Sequence, residues 1–267
     1  MGKTEIEWCD KVWNPVTGCT KVSEGCRNCY AERIAKRFWG ERKFSDVQCH
    51  EDRLDQPLHW KKPQRIFVNS MSDLFHENVP IEFISKVFNM IKFCSSHTFI
   101  VLTKRPERIL HTINKLSEIM PTGEVWPIHN LWLGVSVEDQ ETANERIPWL
   151  LKTPAAVRFV SYEPALDFVD FAMGLPLAKS DIQGYVYNPS GGPFIDWIIM
   201  GGETGPGARP MSPDWARFTR DECRYAKTPF FFKHPGSVLR NIEHEQRNAR
   251  IISVGREFSE FPGWNNE

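Results

Sequence analysis

The sequence predicts an α/β protein built as a partial or complete parallel β/α barrel of about six to seven strands. Two observations predict it. Short, wholly apolar segments alternate with longer amphipathic ones, and polar residues follow each apolar segment. All-apolar strands separated by helices indicate a parallel sheet covered on both faces. Six or seven such units favour a barrel, while an open doubly wound sheet is the alternative that the same pattern allows.

Val12 to Thr17 forms a first short strand that runs into a cysteine-rich loop, and Ala31 to Trp39 is helical. Arg65 to Ser70 is a buried strand, and a helix from Ile81 to Ser95 starts behind Pro80. Thr98 to Thr103 and Leu131 to Val137 are the next strands, followed by helices from Pro106 to about Ile119 and from Gln140 to Leu151. Val157 to Ser161, Asp196 to Gly202 and Pro229 to Lys233 complete the strands, with a helix from Pro213 to Ala226 between the last two. One domain spanning 1–267 is expected, with the cysteine loop at 18–30 and a Gly-, Pro- and Ser-rich surface excursion at 174–193.

Composition excludes several classes. Hydrophobic residues at 41% and charged residues at 25% are globular values, which rules out a disordered chain. No run approaches the roughly 18 to 20 apolar residues that span a bilayer. The opening Met1-Gly2-Lys3-Thr4-Glu5 lacks the apolar core of a signal peptide, so a cytoplasmic protein without membrane contact is expected. A formal net charge of −1 excludes a uniformly basic surface and leaves room for local basic patches. Neither the GxSxG elbow of a serine hydrolase nor the GxGxxG of a dinucleotide site is present.

Seven cysteines, an odd number, argue against a disulfide framework. Three of them, Cys19, Cys26 and Cys29, fall within eleven residues. Two residues separate Cys26 from Cys29, a spacing that lets two thiolates converge on one metal. Six separate Cys19 from Cys26, enough for a loop turning at Gly25. Lys21 and Arg27 add positive charge that favours thiolate. A structural zinc site completed by Cys9, Cys49 or His50 is one outcome. Cys94 and Cys223 fit buried small hydrophobes.

In a parallel β/α fold the carboxyl ends of the strands carry the chemistry. The polar residues there are Asn69 and Asp73, then Lys104 and Arg105, Ser136 and Glu138, Ser161 and Glu163, Gly201-Gly202-Glu203, and Lys233. Four glycines between Gly201 and Gly207 let backbone amides approach a ligand closely. Arg209 is suited to pair a carboxylate or phosphate through two hydrogen bonds. Basic clusters at 33–37, 61–65 and 104–105, with Phe38, Trp39 and Trp60 nearby, fit a nucleic-acid-binding protein. Solvated helix faces would give the same clusters.

Three cysteines near the N-terminus, opening a β/α barrel, resemble the radical S-adenosylmethionine enzymes. That resemblance implies a radical-SAM-type, TIM-like barrel and a 4Fe–4S cluster held by Cys19, Cys26 and Cys29. It implies an open iron that binds S-adenosylmethionine and cleaves it to a 5′-deoxyadenosyl radical. Glu203, Glu163 and Lys233 are then candidate catalytic residues. Ser136, Glu138, Ser161, Gly201, Gly202, Arg209, Asn69, Asp73, Lys104 and Arg105 are candidates for cofactor binding. A flavodoxin or ferredoxin would donate the electron, and the substrate would be a nucleotide, DNA or RNA. The chain departs from the superfamily pattern in its first gap, six residues where three are usual. Asn28 also stands where an aromatic is usual, and Gly201-Gly202-Glu203 lies far down the chain.

Nearly the whole chain is similar to the phage-associated three-cysteine-motif family, from Trp13-Asn14-Pro15-Val16-Thr17-Gly18-Cys19 through Asn69-Ser70-Met71-Ser72-Asp73 to Phe230-Phe231-Phe232-Lys233. This similarity implies a three-cysteine-motif partner protein.

Overall fold

A computed structural model describes residues 4, 6–119, 126–171, 194–238 and 261–262. The excursion expected at 174–193 lies outside the described residues. The chain folds as two compact units, Met1–Val135 with Thr153–Ala156, and Ser136–Lys152 with Val157–Glu267.

The fold class is the expected one: α/β, with a seven-stranded parallel sheet of the β/α-barrel type. Its strands are β1 (Lys11–Trp13), β4 (Arg65–Val68), β5 (Thr98–Thr103), β6 (Leu131–Val137), β7 (Val157–Tyr162), β8 (Trp197–Gly201) and β9 (Phe230–His234), adjacent in that order. A doubly wound sheet would reverse its order at a switch point. Here each strand lies beside its predecessor, so the order never reverses.

In the first unit, α1 (Tyr30–Phe38) lies between β1 and β4 in the chain, α2 (Ile81–Phe93) between β4 and β5, and α3 (Pro106–Ile119) between β5 and β6. The sheet buries Ile66 and Val68, Phe99 to Val101 and Leu133. α2 buries Phe83, Ile84, Val87, Phe88 and Ile91, the spacing of one helical face. All seven residues of β6 are buried, as expected for a strand covered on both faces. In the second unit, α4 (Gln140–Lys152) precedes β7, and α5 (Pro213–Ala226) connects β8 to β9. Trp197 packs against Phe159 at 5.8 Å and Phe231 at 6.4 Å between ring centroids. Among the described residues no helix is long and apolar enough to cross a membrane.

The first strand departs from expectation. Val12 to Thr17 is not one strand: β1 ends at Trp13, and β2 (Val16–Thr17) pairs antiparallel with β3 (Gln48–Cys49). Pro15 has no N–H to continue a ladder and restricts Asn14 before it, so the chain leaves the main sheet there. The strand expected over Arg65 to Ser70 stops at Val68, because Asn69 takes a left-handed φ of 61°.

Leu133 is fully buried in β6. Leu133→Ala is expected to cost about 2–5 kcal/mol in urea unfolding and Leu133→Met less than about 1.5 kcal/mol. Equal losses would place the side chain outside the core.

Candidate functional site

The cysteine loop leaves β2 through Gly18, whose φ is 95°. A Cβ there would stand 2.4 Å from the Asp46 carbonyl oxygen, so only glycine fits. Gly18 N–H donates to the Met71 carbonyl at 3.0 Å, and Cys19 N–H to the Phe44 carbonyl at 2.8 Å. Cys26 ends a short 3-10 turn, Glu24–Cys26, and Cys29 is the N-cap of α1. All three cysteines are free and partly exposed.

Side-chain amides staple the segment after β4 to the base of this loop. Asn69 Oδ1 accepts from Val16 N–H at 3.1 Å, and Asn14 Oδ1 accepts from Met71 N–H at 3.2 Å. Ser72 Oγ donates to the Val16 carbonyl at 2.8 Å, and Tyr30 Oη to the Ser70 carbonyl at 2.6 Å.

Asp73 and Arg105 form the centre of the first unit's polar network. Asp73 is buried and accepts from the Thr103 hydroxyl at 2.7 Å, from Lys104 N–H at 3.2 Å and from Arg105 Nη1 at 3.2 Å. Arg105 engages every donor of its guanidinium. Nε meets Glu77 at 3.0 Å, Nη1 meets Asp73 and the Cys19 sulfur at 3.6 Å, and Nη2 meets the Thr20 carbonyl at 3.2 Å and its hydroxyl at 2.8 Å. One side chain thereby ties the end of β5 to the first cysteine. Burial pushes the Cys19 thiol up to about 12. The Asp73 carboxylate and Cys26 add to the rise, and Arg105 opposes it.

His76 is fully buried beside this brace. Its Nδ1 accepts from Asn78 N–H at 3.1 Å, which assigns the ring proton to Nε2, 2.9 Å from the Thr20 hydroxyl. Burial and then the Arg105 charge hold the imidazole below its ordinary value. Sequence reasoning missed Thr20, His76 and Glu77. The signal was the short separation of Thr20 from Cys19 and of His76 and Glu77 from Asp73.

Among the described residues no three His, Cys, Asp or Glu side chains are arranged to hold one metal ion. What fits a metal is the donor set: three free thiols on one short loop, with Cys26 close enough to act on Cys19 electrostatically. Of the other donors considered, Cys9 is buried, Cys49 lies in β3, and His50 Nε2 is 2.7 Å from the Thr17 hydroxyl.

The second unit collects a separate group. Lys233 Nζ lies 3.1 Å from Glu163 Oε1, and Ser161 Oγ donates to Glu163 Oε2 at 3.3 Å. Burial raises the Glu163 carboxyl, but Lys233, His234 and Ser161 together outweigh it and hold the group below the ordinary carboxylate range. Ser136 Oγ donates to the Glu163 carbonyl at 2.9 Å.

The remaining site residues of this unit have internal partners. Glu138 is fully buried and accepts from Arg146 Nη1 at 3.2 Å through both oxygens. Arg146, eight residues on, escaped the sequence reading because it lies inside α4. Glu203 accepts from Arg209 at three nitrogens, the backbone N–H at 2.8 Å, Nε at 3.0 Å and Nη2 at 2.7 Å. The glycines before it make room for protein: a Cβ at Gly201 would stand 2.6 Å from Glu163 Oε1, and one at Gly202 2.7 Å from the Pro235 carbonyl.

A family model described as "Protein of unknown function (DUF5131)" matches residues 3–262. The chain belongs to the DUF5131 family. This DUF5131 chain is 24% identical over 173 residues to the uncharacterized protein MJ1477 of Methanocaldococcus jannaschii, covering 60% of this chain and 47% of that protein. It is also similar to solved structures of spore photoproduct lyase. A double mutant with bound AdoMet and dinucleoside spore photoproduct shows 12% identity and a TM-score of 0.44, covering 60% of this chain and 47% of that one. A single mutant shows 13% identity and a TM-score of 0.46, covering 84% of this chain and 63% of that one. The chain spans about half the length of the curated relative and of the first of these structures.

Two outcomes follow from the brace. Arg105→Ala leaves a buried Asp73 carboxylate without its cation and is expected to cost about 3–5 kcal/mol in chemical denaturation. A loss below 1 kcal/mol, about the worth of a surface pair, would show that the brace does not hold the loop. The Cys19 thiol, raised from 9.0 to about 12, favours the neutral form in the fold. That contribution is present below pH 9 and is lost as pH rises toward 12. Iodoacetamide labelling of Cys19 in the metal-free protein at pH 8 should run about a thousandfold slower than for an ordinary thiol, as mapped by mass spectrometry. Labelling at the rate of free cysteine would contradict the burial of this sulfur.

Proposed function

We propose that this chain is a cytoplasmic iron–sulfur enzyme of the radical S-adenosylmethionine kind, with Cys19, Cys26 and Cys29 as the thiolate ligands of a 4Fe–4S cluster. The observation that carries the proposal is the Arg105 brace. A fully engaged guanidinium hydrogen-bonds the sulfur of Cys19, the first of three free thiols on one loop. Soft thiolates suit iron, and a cation beside one of them offsets the negative charge of a thiolate-bound centre. When bound, such a cluster supplies the electron that reductively cleaves S-adenosylmethionine to a 5′-deoxyadenosyl radical.

The chain's own residues have distinct roles in this proposal. Arg105 fixes Cys19 and, through Thr20, the start of the loop. Asp73 and Thr103 fix Arg105 and orient it. Asn69 holds the base of the loop through Val16. In the second unit the ionised Glu163 and the Lys233 ammonium present opposite charges to polar groups of a ligand. Glu203 and Arg209 fix the turn after β8. The substrate is a nucleotide or nucleic acid, a reading supported by the basic cluster at 33–37. A flavodoxin or ferredoxin supplies electrons, and the resemblance to the three-cysteine-motif family adds its partner protein.

The test is anaerobic reconstitution with iron and sulfide, followed by dithionite and S-adenosylmethionine. The expected results are brown protein, a paramagnetic signal that changes on adding S-adenosylmethionine, and 5′-deoxyadenosine by chromatography. Replacing any of the three cysteines with alanine should remove all three. Because Cys19 begins as a neutral thiol, loading should also release protons measurable in weakly buffered solution. A colourless protein that binds one zinc per chain and takes up no iron would refute the proposal.

A further inference from the structure

Three basic clusters stand out in the sequence, and the structure separates their roles. The cluster at 61–65 precedes β4, at the amino end of the strand, and Arg65 pairs with Asp10 at 3.2 Å. In the cluster at 104–105, Arg105 is wholly engaged in the brace. The third lies on α1, which starts at Cys29.

α1 buries Ala31 and Ala35 on one face. Tyr30, Ile34 and Phe38 repeat at every fourth residue and form a stripe that is 43%, 41% and 68% exposed. Arg37 is exposed beside the stripe, whereas Arg33, four residues earlier, has its Nη1 buried. The Arg37 guanidinium lies over the Phe38 ring at 5.1 Å, and that of Arg42 over Trp39 at 4.2 Å. The one acid of the helix, Glu32, is shared between Lys21 at 3.2 Å and Lys36 at 3.0 Å. From Cys19 to Phe44 positive side chains outnumber negative ones seven to three, in a chain of net charge −1.

We propose that the outer face of α1 binds a single strand of nucleic acid, with bases stacked along Tyr30 and Phe38 and a phosphate on Arg37. The inference rests on, and deepens, the nucleic-acid reading of the proposed function. The charge balance selects a polyanion. The exposed rings select one that carries flat apolar faces. A duplex keeps its base faces stacked inside, so the strand is single. Eight residues of helix place Tyr30 and Phe38 about 12 Å apart along the axis. That is roughly three base steps at the 3.4 Å spacing of a stacked strand. An acidic protein would satisfy the charges but would leave the stripe of rings without a matching flat partner.

The test is fluorescence anisotropy of a labelled twelve-nucleotide oligothymidylate against the full chain without added metal, from about 50 to 200 mM salt. Binding is expected at low salt and is expected to weaken as salt rises. Phe38→Ala should weaken it about fivefold to a hundredfold, the loss of one stacked base. Arg37→Gln should lower the salt slope by roughly 0.7, one phosphate contact on a single strand. Lys61→Gln with Lys62→Gln should leave binding unchanged. The exposed positions of Arg37 and Phe38 predict unaltered melting for the α1 variants, so lost binding is not lost folding.

No binding at 50 mM salt, equal affinity for a blunt duplex, equal affinity for polyglutamate, or insensitivity to the α1 substitutions would each overturn the proposal. Because the assay needs no metal, binding in a chain that fails reconstitution would keep this surface and remove the radical chemistry. Reconstitution without binding would do the reverse.

Discussion

The position of the cysteine loop depends on a single, largely enclosed cation. Arg105 stands just past the end of β5, and its donors reach a carboxylate on each of two neighbouring turns, the backbone and hydroxyl of Thr20, and a sulfur. A guanidinium out of water is costly unless each N–H finds an acceptor. Here the acceptors come from two segments of chain, the cysteine loop and the turn after β4, and the guanidinium itself from a third, the connection between β5 and α3. Satisfying one side chain therefore brings all three into register. The buried Asp73 works in the same way from the other side, and neither charge is tolerable alone. The sheet places β4 and β5 side by side, and this pair converts that adjacency into a fixed position for Cys19.

The second unit uses the same economy with different partners. Glu138 with Arg146, Glu203 with Arg209, and Glu163 with Lys233 are three acid–base pairs, each with its acid just beyond the end of a strand. They differ in exposure. Glu138 and Arg146 are sealed, which suits a fastener between the end of β6 and α4. Lys233 and Glu163 keep partial access to solvent, with side chains 25% and 17% exposed, and this suits a pair that meets a ligand.

Much of this was legible in the sequence, for physical reasons. Apolar runs such as Thr98 to Thr103 and Leu131 to Val137 have the structure's own bounds, because a strand buried on both faces admits few polar residues, here Thr103 and Ser136 with hydrogen-bond partners, and its edges are sharp. The acids at the strand ends also stood out, since a charge beside a buried strand is conspicuous. Their partners did not. Arg146 sits within an amphipathic helix where an arginine is ordinary, and only the fold turns its side chain inward. The kink at Asn14-Pro15 was hidden because both flanking segments are apolar and extended. The glycines at 201 and 202 invited a ligand-binding interpretation, whereas Glu163 and Pro235 occupy the space that their missing side chains leave. Composition reveals that room is needed but not what fills it.

The small ribbon made by β2 and β3 has a consequence for the design of the molecule. Its two strands clip together the stretch that departs at Gly18 and returns at Gln48, so the thiols and the helix behind them travel as one cassette fastened at its base. The seven strands of the main sheet contain no residue of that cassette. Such a module is open to exchange between related scaffolds, provided that the recipient supplies an arginine where β5 ends.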